Sequence, residues 1–341
     1  MNLTQCELAY DYNANVWIVL ILSIVAALNL VGILLTLHVT RILLSTQVEV
    51  FHINLRILFG NLSFCLCLRS GLTLYRAVEH LFLVATWKSK CDFLKSAKSC
   101  ILQSSLNAAP VFVLVFAYLM IALERCIATL MYKTYERRKD VGLSLLVAFL
   151  SWVHPVTKLV FSITSDVVVD DKPYCSSMTA KEFSFAETFI VPLIVLILSS
   201  VLFGIVWRFC HLKQKLTLST QQHNLSGRFQ LGENIRASKI VLPNAFLFVL
   251  VTVINIIVIT AMKLIPGLDK DMRLFGILKE ASSLTFPIYI NLYALVFILH
   301  CSSVAKRTWI IRRYDRFTKD TWQEEEQCAN NHFNLLTSYW K

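Results

Sequence analysis

Charged side chains that interrupt long apolar segments have the most chemistry to offer in this chain of 341 residues. Arg69 stands inside one such segment, Glu187 near the start of another, and Lys279-Glu280 opens a third. In a low-dielectric setting these four outline a polar pocket, able either to hold a ligand or to pair internally, Glu187 with Arg69 for example. A second set, Glu124-Arg125 with Glu233 and Arg236, falls at segment ends. Opposite charges there suit a clamp that is closed in one packing of the chain and open in another, with Glu233 the expected partner of Arg125. Catalytic signatures are missing from the sequence: there is no His-Glu-x-x-His, no Gly-x-Ser-x-Gly, no phosphate loop and no acidic pair in mid-segment. The residues therefore speak for binding and switching, not for an enzyme, and they call for no metal or cofactor.

The elements that must position these residues are apolar runs. Of the whole chain 56% is apolar and 16% charged, and the mean hydropathy is +0.60, a balance hard to reconcile with a water-soluble globule. Seven runs reach or approach the roughly 20 residues that cross about 30 Å of hydrocarbon. They are Val16 to Leu37, Ile53 to Tyr75, Ile101 to Leu123, Val141 to Ile163, Phe185 to Phe209, Ile240 to Met262 and Leu274 to Cys301. The expected fold is an all-α membrane protein, a bundle of seven transmembrane helices over 16–301, with an N-terminal segment 1–15 and a tail 302–341. The second run is the least regular, since it holds both Arg56 and Arg69. Arg56, near one end, can snorkel to the headgroups, whereas Arg69 is carried roughly 20 Å further by helical rise and needs water, an acid or a ligand.

The even loops and the N-terminus carry few basic residues, and the odd loops with the tail carry nearly twice as many. This bias places the N-terminus outside and the C-terminus in the cytoplasm. The net charge of +11 is then explained by contact with anionic lipid and requires no nucleic acid. With no basic n-region ahead of it, the first span is expected to direct insertion itself. Asn2-Leu-Thr4 is a glycosylation sequon on the outer side.

The ten cysteines sort by side. Cys6, Cys91, Cys100 and Cys175 fall outside, where disulfides persist, and Cys100–Cys175 is the first expected bridge, with Cys6–Cys91 a second candidate pair. Cys210 and Cys301 sit where spans five and seven meet the inner leaflet, open to palmitoylation or simply buried. Asn29 in span one should bond to a neighbouring helix. Pro155 and Pro192 each free a carbonyl, Pro192 with the option of a local bulge toward the pocket. The stretch from Leu225 to Arg236 reads as an extension of span six beyond the membrane. After span seven, Ile310, Tyr314 and Phe317 share a stripe among basic residues, the pattern of an interfacial helix on membrane lipid.

Four stretches carry a family likeness: Asn2-Leu-Thr-Gln-Cys-Glu-Leu-Ala9, Phe51-His-Ile-Asn-Leu55, Leu123-Glu-Arg-Cys-Ile-Ala-Thr129, and Leu225-Ser-Gly-Arg-Phe-Gln-Leu-Gly-Glu-Asn-Ile-Arg236. Through them the chain resembles the nematode serpentine chemoreceptors of class alpha/beta, related to class alpha and akin to G-protein-coupled receptors. The resemblance implies a plasma-membrane receptor of chemosensory neurons that binds a small environmental chemical and signals through a heterotrimeric G protein, with Glu124-Arg125 as part of the coupling switch. It departs from the wider receptor pattern in three helices. Span two has Asn61 and Ser63 in place of an acid, span six has Asn255 and no Trp-x-Pro, and span seven reads Pro287-Ile-Tyr-Ile-Asn-Leu-Tyr293. A sodium site and the common activation relay are accordingly not carried over. The alternative reading is a ligand-gated channel or a transporter, although the matched helix breaks of an internally repeated transporter are not visible.

Overall fold

Backbone amides and carbonyls in a hydrocarbon layer must be answered within their own segment, so apolar runs of this length form helices. The computed structural model describes residues 3–44, 51–131, 141–164, 175, 186–219, 225–264 and 272–300, with side chains for all of these except 3–4, 162–163, 186–187, 216–219, 225–230, 263 and 272. Asn2, Cys301, the stripe over 310–317 and the tail lie outside the described residues, as does the side chain of Glu187. Helices dominate the described residues, and seven of them are long and apolar enough to cross a membrane.

A short helix α1 (Leu3–Asn13) precedes span one, α2 (Val16–Leu44). Spans two to six are α3 (Ile53–Thr86), α4 (Ala97–Leu130), α5 (Gly142–Thr164), α6 (Val191–Ser219) and α7 (Leu225–Leu264). Span seven is two helices, α8 (Met272–Ser283) and α9 (Thr285–His300), rather than the one run the sequence suggests. The break has a local cause. Pro287 has no N–H to give the carbonyl of Ser283, and three hydroxyls take over nearby carbonyls: Ser282 Oγ donates to Lys279 O at 2.7 Å, Ser283 Oγ to Glu280 O at 2.6 Å and Thr285 Oγ1 to Ser282 O at 2.8 Å. Hydroxyls bonded back in this way weaken helical continuity. Pro192 acts similarly, being preceded by a π-turn over Ala186–Ile190, the bulge expected there.

α4 is central, packing on α3, α5, α6 and α7, while α2 lies against α3 and α9. The α2–α9 approach is close: a Cβ at Gly32 would stand 3.1 Å from Ile290. Outward faces expose large apolar side chains such as Leu34, Phe149, Ile205 and Phe246, which suits lipid rather than water. Interior polar groups act as glue. Trp152 Nε1 donates to Asn61 Oδ1 at 2.8 Å, joining α5 to α3. Asn29 differs from expectation, since its amide donates to Val25 O of its own helix at 2.8 Å. It is Asn291 of α9 that crosses, donating to Leu28 O at 3.0 Å. Arg56 also differs: instead of snorkelling outward it donates to Leu43 O at 2.9 Å and Leu44 O at 2.8 Å, closing the C-terminal carbonyls of α2.

At the other end of the bundle α1 is strapped down. Two disulfides are present, the expected Cys100–Cys175 and the candidate pair Cys6–Cys91. The second ties α1 to a 3-10 turn over Lys90–Phe93, where Tyr10 packs on Trp87 at 4.8 Å between ring centres. Asp92 stabilises that turn by accepting from the backbone of Lys88 at 2.9 Å and Ser89 at 3.0 Å, and these amides hold its carboxyl below the usual range. Tyr12 fills the space above Gly276 of α8, so that a Cβ at this glycine would fall inside the ring. Gly276→Ala should therefore destabilise the fold by about 1–3 kcal/mol through overpacking and speed proteolytic cleavage within α1. Thermal unfolding with limited proteolysis checks this; unchanged behaviour in both would mean that α1 does not rest on α8.

Candidate functional site

Two polar assemblies occupy opposite ends of the bundle, and α4 contributes to both. Near the α1 end a cavity of about 220 Å³ opens between α3, α4, α6, α7 and α8. Arg69 and Arg76 project into it from one face of α3, seven residues and about two turns apart. Arg69 Nη1 donates to the carbonyl of Asn107 at 2.8 Å and to Asn107 Oδ1 at 2.7 Å, and its guanidinium lies 5.2 Å from the centre of the Phe286 ring. Arg76 grips Glu280 with two parallel bonds, Nη1 to Oε1 at 2.8 Å and Nη2 to Oε2 at 2.7 Å. That fork-to-fork geometry gives the strongest side-chain pair available to a protein. Lys279 also lines the cavity. Apolar wall comes from Val111, Phe112, Val115, Phe189 and Phe248, and Asn255 bridges α7 to the span-seven break by donating to Thr285 Oγ1 at 2.8 Å.

The expected set of Arg69, Lys279 and Glu280 is thus brought together. Glu187 precedes Thr188, a lining residue, but its own side chain is not described. Arg69 is engaged by Asn107, and the acid of the pocket, Glu280, belongs to Arg76. The apolar run of span two stops at Tyr75 and leaves Arg76 outside it, whereas α3 continues to Thr86. Its spacing from Arg69 was the available signal.

Below the cavity the bundle is filled by aromatic rings. Phe248 stacks on Tyr289 with ring centres 5.0 Å apart and meets Phe286 edge-on at 5.8 Å. Tyr118 of α4 and Tyr289 of α9 share a hydroxyl hydrogen bond of 2.7 Å, and Tyr293 meets Ser63 at 3.3 Å. Phe248 and Phe286 face the cavity on one side and this layer on the other.

Beyond it lies the second assembly. Arg125 has no exposed surface, and its Nε and Nη2 donate to the Glu124 carboxylate. Nη1 donates to Asn234 Oδ1 at 2.8 Å and stands 3.5 Å from Glu233 Oε1. That same Glu233 oxygen accepts the backbone N–H of His52 at 2.8 Å, capping the start of α3. Asn234 Nδ2 in turn donates to Thr129 Oγ1 at 2.9 Å. The clamp therefore joins α3, α4 and α7, and the expected Arg125 to Glu233 contact is one strand of it. Asn234 is a partner that the sequence alone does not single out, although it adjoins Glu233. Arg236 is exposed and takes no part in the cluster.

An all-helical bundle of seven membrane-crossing segments, with a polar cavity at one end and a buried arginine clamp at the other, has the architecture of a multi-pass membrane receptor. Over residues 3–333 the chain matches the family described as serpentine type 7TM GPCR receptor class ab chemoreceptor, and it belongs to that family. It is 23% identical over 364 aligned residues to serpentine receptor class alpha/beta-14 of Caenorhabditis elegans, covering 99% of this chain and 93% of that one.

The bidentate pair gives a direct stability test. Arg76→Met leaves the Glu280 carboxylate, 4% exposed, without its guanidinium and should destabilise the bundle by about 3–5 kcal/mol. Adding Glu280→Leu should restore most of this, and thermal unfolding of both variants in detergent measures it.

Proposed function

We propose that this protein is a chemosensory G-protein-coupled receptor of the plasma membrane: a small molecule binds in the cavity, and a heterotrimeric G protein engages the end bearing Arg125. In this reading the N-terminus is outside, as the distribution of Lys and Arg over the loops suggests. The observation that carries it is the continuity of one path. α4 holds Asn107 at the cavity, Tyr118 in the aromatic layer and Arg125 in the clamp, over roughly 27 Å of helical rise. α7 accompanies it with Asn255, Phe248 and Glu233.

A ligand can shift such a bundle only by binding one packing better than another. Occupancy of the cavity presses on Phe248 and Phe286, which share the layer holding Tyr118 and Tyr289. Repacking of that layer moves α7 relative to α4, and Glu233 then leaves both Arg125 and the His52 amide. The released Arg125 and the neighbouring loops form the coupling surface. Lost charged hydrogen bonds of about 1.5–3 kcal/mol shift a two-state equilibrium roughly ten- to hundredfold, enough for a switch.

The test is nucleotide exchange on a G protein in membranes bearing the full chain, with mixtures of soluble and volatile chemicals as probes. The parent should respond, Arg125→Ala should lose the response at equal surface level, and Glu233→Ala should raise basal exchange severalfold. Silence of parent and variants in every mixture, with ion current through the folded protein, would replace the receptor reading with that of a channel.

A further inference from the structure

Among the described residues, the cavity is lined by more positive charge than its one acid can answer. Arg69, Arg76 and Lys279 line it with one described carboxylate, Glu280, and that is taken by Arg76 in a two-bond grip. Arg69 is bonded only to the neutral amide and carbonyl of Asn107 among the described residues, and its buried Nε has no hydrogen-bond partner there. The Lys279 ammonium makes no hydrogen bond or ion pair among the described residues; it lies within electrostatic range of Glu280, which Arg76 already grips, and of both arginines. Isolated cations in a low-dielectric enclosure are unfavourable unless something anionic completes them. The lining also has an apolar part, with Val111, Phe112, Val115 and Phe248.

We propose that the cavity takes an organic carboxylate, its acid group held between the Arg69 guanidinium and the Lys279 ammonium and its apolar body lying against Phe112, Val115 and Phe248. This rests on reading the cavity as the receptor's ligand site and names the class of compound that site selects. The carboxylate supplies an anionic partner that the Arg69 guanidinium lacks among the described residues, and a direct contact for the Lys279 ammonium, whose neighbour Glu280 is held by Arg76. A neutral ester of the same shape supplies neither. An amine adds a fourth cation to the walls.

The experiment is thermal unfolding of the purified full chain in detergent with hexanoic, octanoic and phenylacetic acids, their methyl esters and the corresponding amines. At least one acid should raise the melting temperature of the parent, with its ester and amine leaving it unchanged. Lys279→Met should raise the half-saturating acid concentration at least tenfold. Without ligand this variant should melt at or above the parent, because the unanswered ammonium is gone; Arg69→Gln, which also removes the Asn107 bonds, is the supporting variant. Acid shifts no larger than ester shifts, or acid shifts that survive in Lys279→Met, would overturn the proposal. So would stabilisation by the amines that is lost in Glu187→Gln. Nucleotide exchange with the same compounds separates this from the receptor reading. An acid that stabilises the chain without driving exchange removes the receptor reading alone, and a neutral compound that drives exchange from this cavity removes the carboxylate alone.

Discussion

A guanidinium with no contact to solvent has to have its donors answered by the protein, and Arg125 is the group about which this bundle is arranged. Glu124, Asn234 and Glu233 supply its acceptors, which draws α4 and α7 together. The arrangement extends because Glu233 spends one oxygen on two duties, facing Arg125 and capping α3 at His52. Moving α7 away from Arg125 therefore also uncaps a neighbouring helix. Buried charge clusters of this kind add little net stability compared with apolar packing, and their value lies in defining one geometry sharply. A cluster that tolerates few intermediate positions is well suited to two discrete states.

The cavity end is organised by the opposite imbalance. There, among the described residues, one carboxylate meets three cations, and α3 presents two guanidinium groups along one face. Between the two ends the aromatic layer has little freedom to deform, since Tyr118, Tyr289 and Tyr293 have no exposed surface. Close-packed rings transmit displacement instead of absorbing it. The break between α8 and α9 adds a place where that displacement can be taken up, with Asn255 holding α7 to it through Thr285.

Much of this could be read from residue types and spacing. Hydropathy set the seven spans because lipid leaves a chain so few options, and the Cys100–Cys175 bridge followed from which ends of the spans those residues occupy. The Arg125 to Glu233 contact was accessible because charges at the ends of apolar runs must find partners. What could not be read was the partner of each pocket charge. Arg76 was hidden because α3 continues as a helix beyond its hydrophobic stretch, and hydropathy does not report helical continuation past the lipid boundary. Asn107 and Asn234 were missed because an amide oxygen can accept from a guanidinium but carries no charge to mark it in the sequence. The division of span seven was obscured by a run of small hydroxyl residues whose bonds back to the main chain become visible only with coordinates.

The described cysteines differ in state along the bundle. Four form bridges at the α1 end, Cys65 and Cys67 are thiols within α3, and Cys126 and Cys210 are thiols in one packing cluster near the clamp. One end of the molecule is complete only when oxidised, and the other is built with its sulfur reduced. A cell with a membrane between two compartments meets both needs at once. A single well-mixed buffer does not, so protein made or refolded in one vessel has to close the two bridges of the α1 end while leaving the thiols near the clamp reduced. The way this chain is produced therefore becomes a determinant of which of its two ends arrives intact.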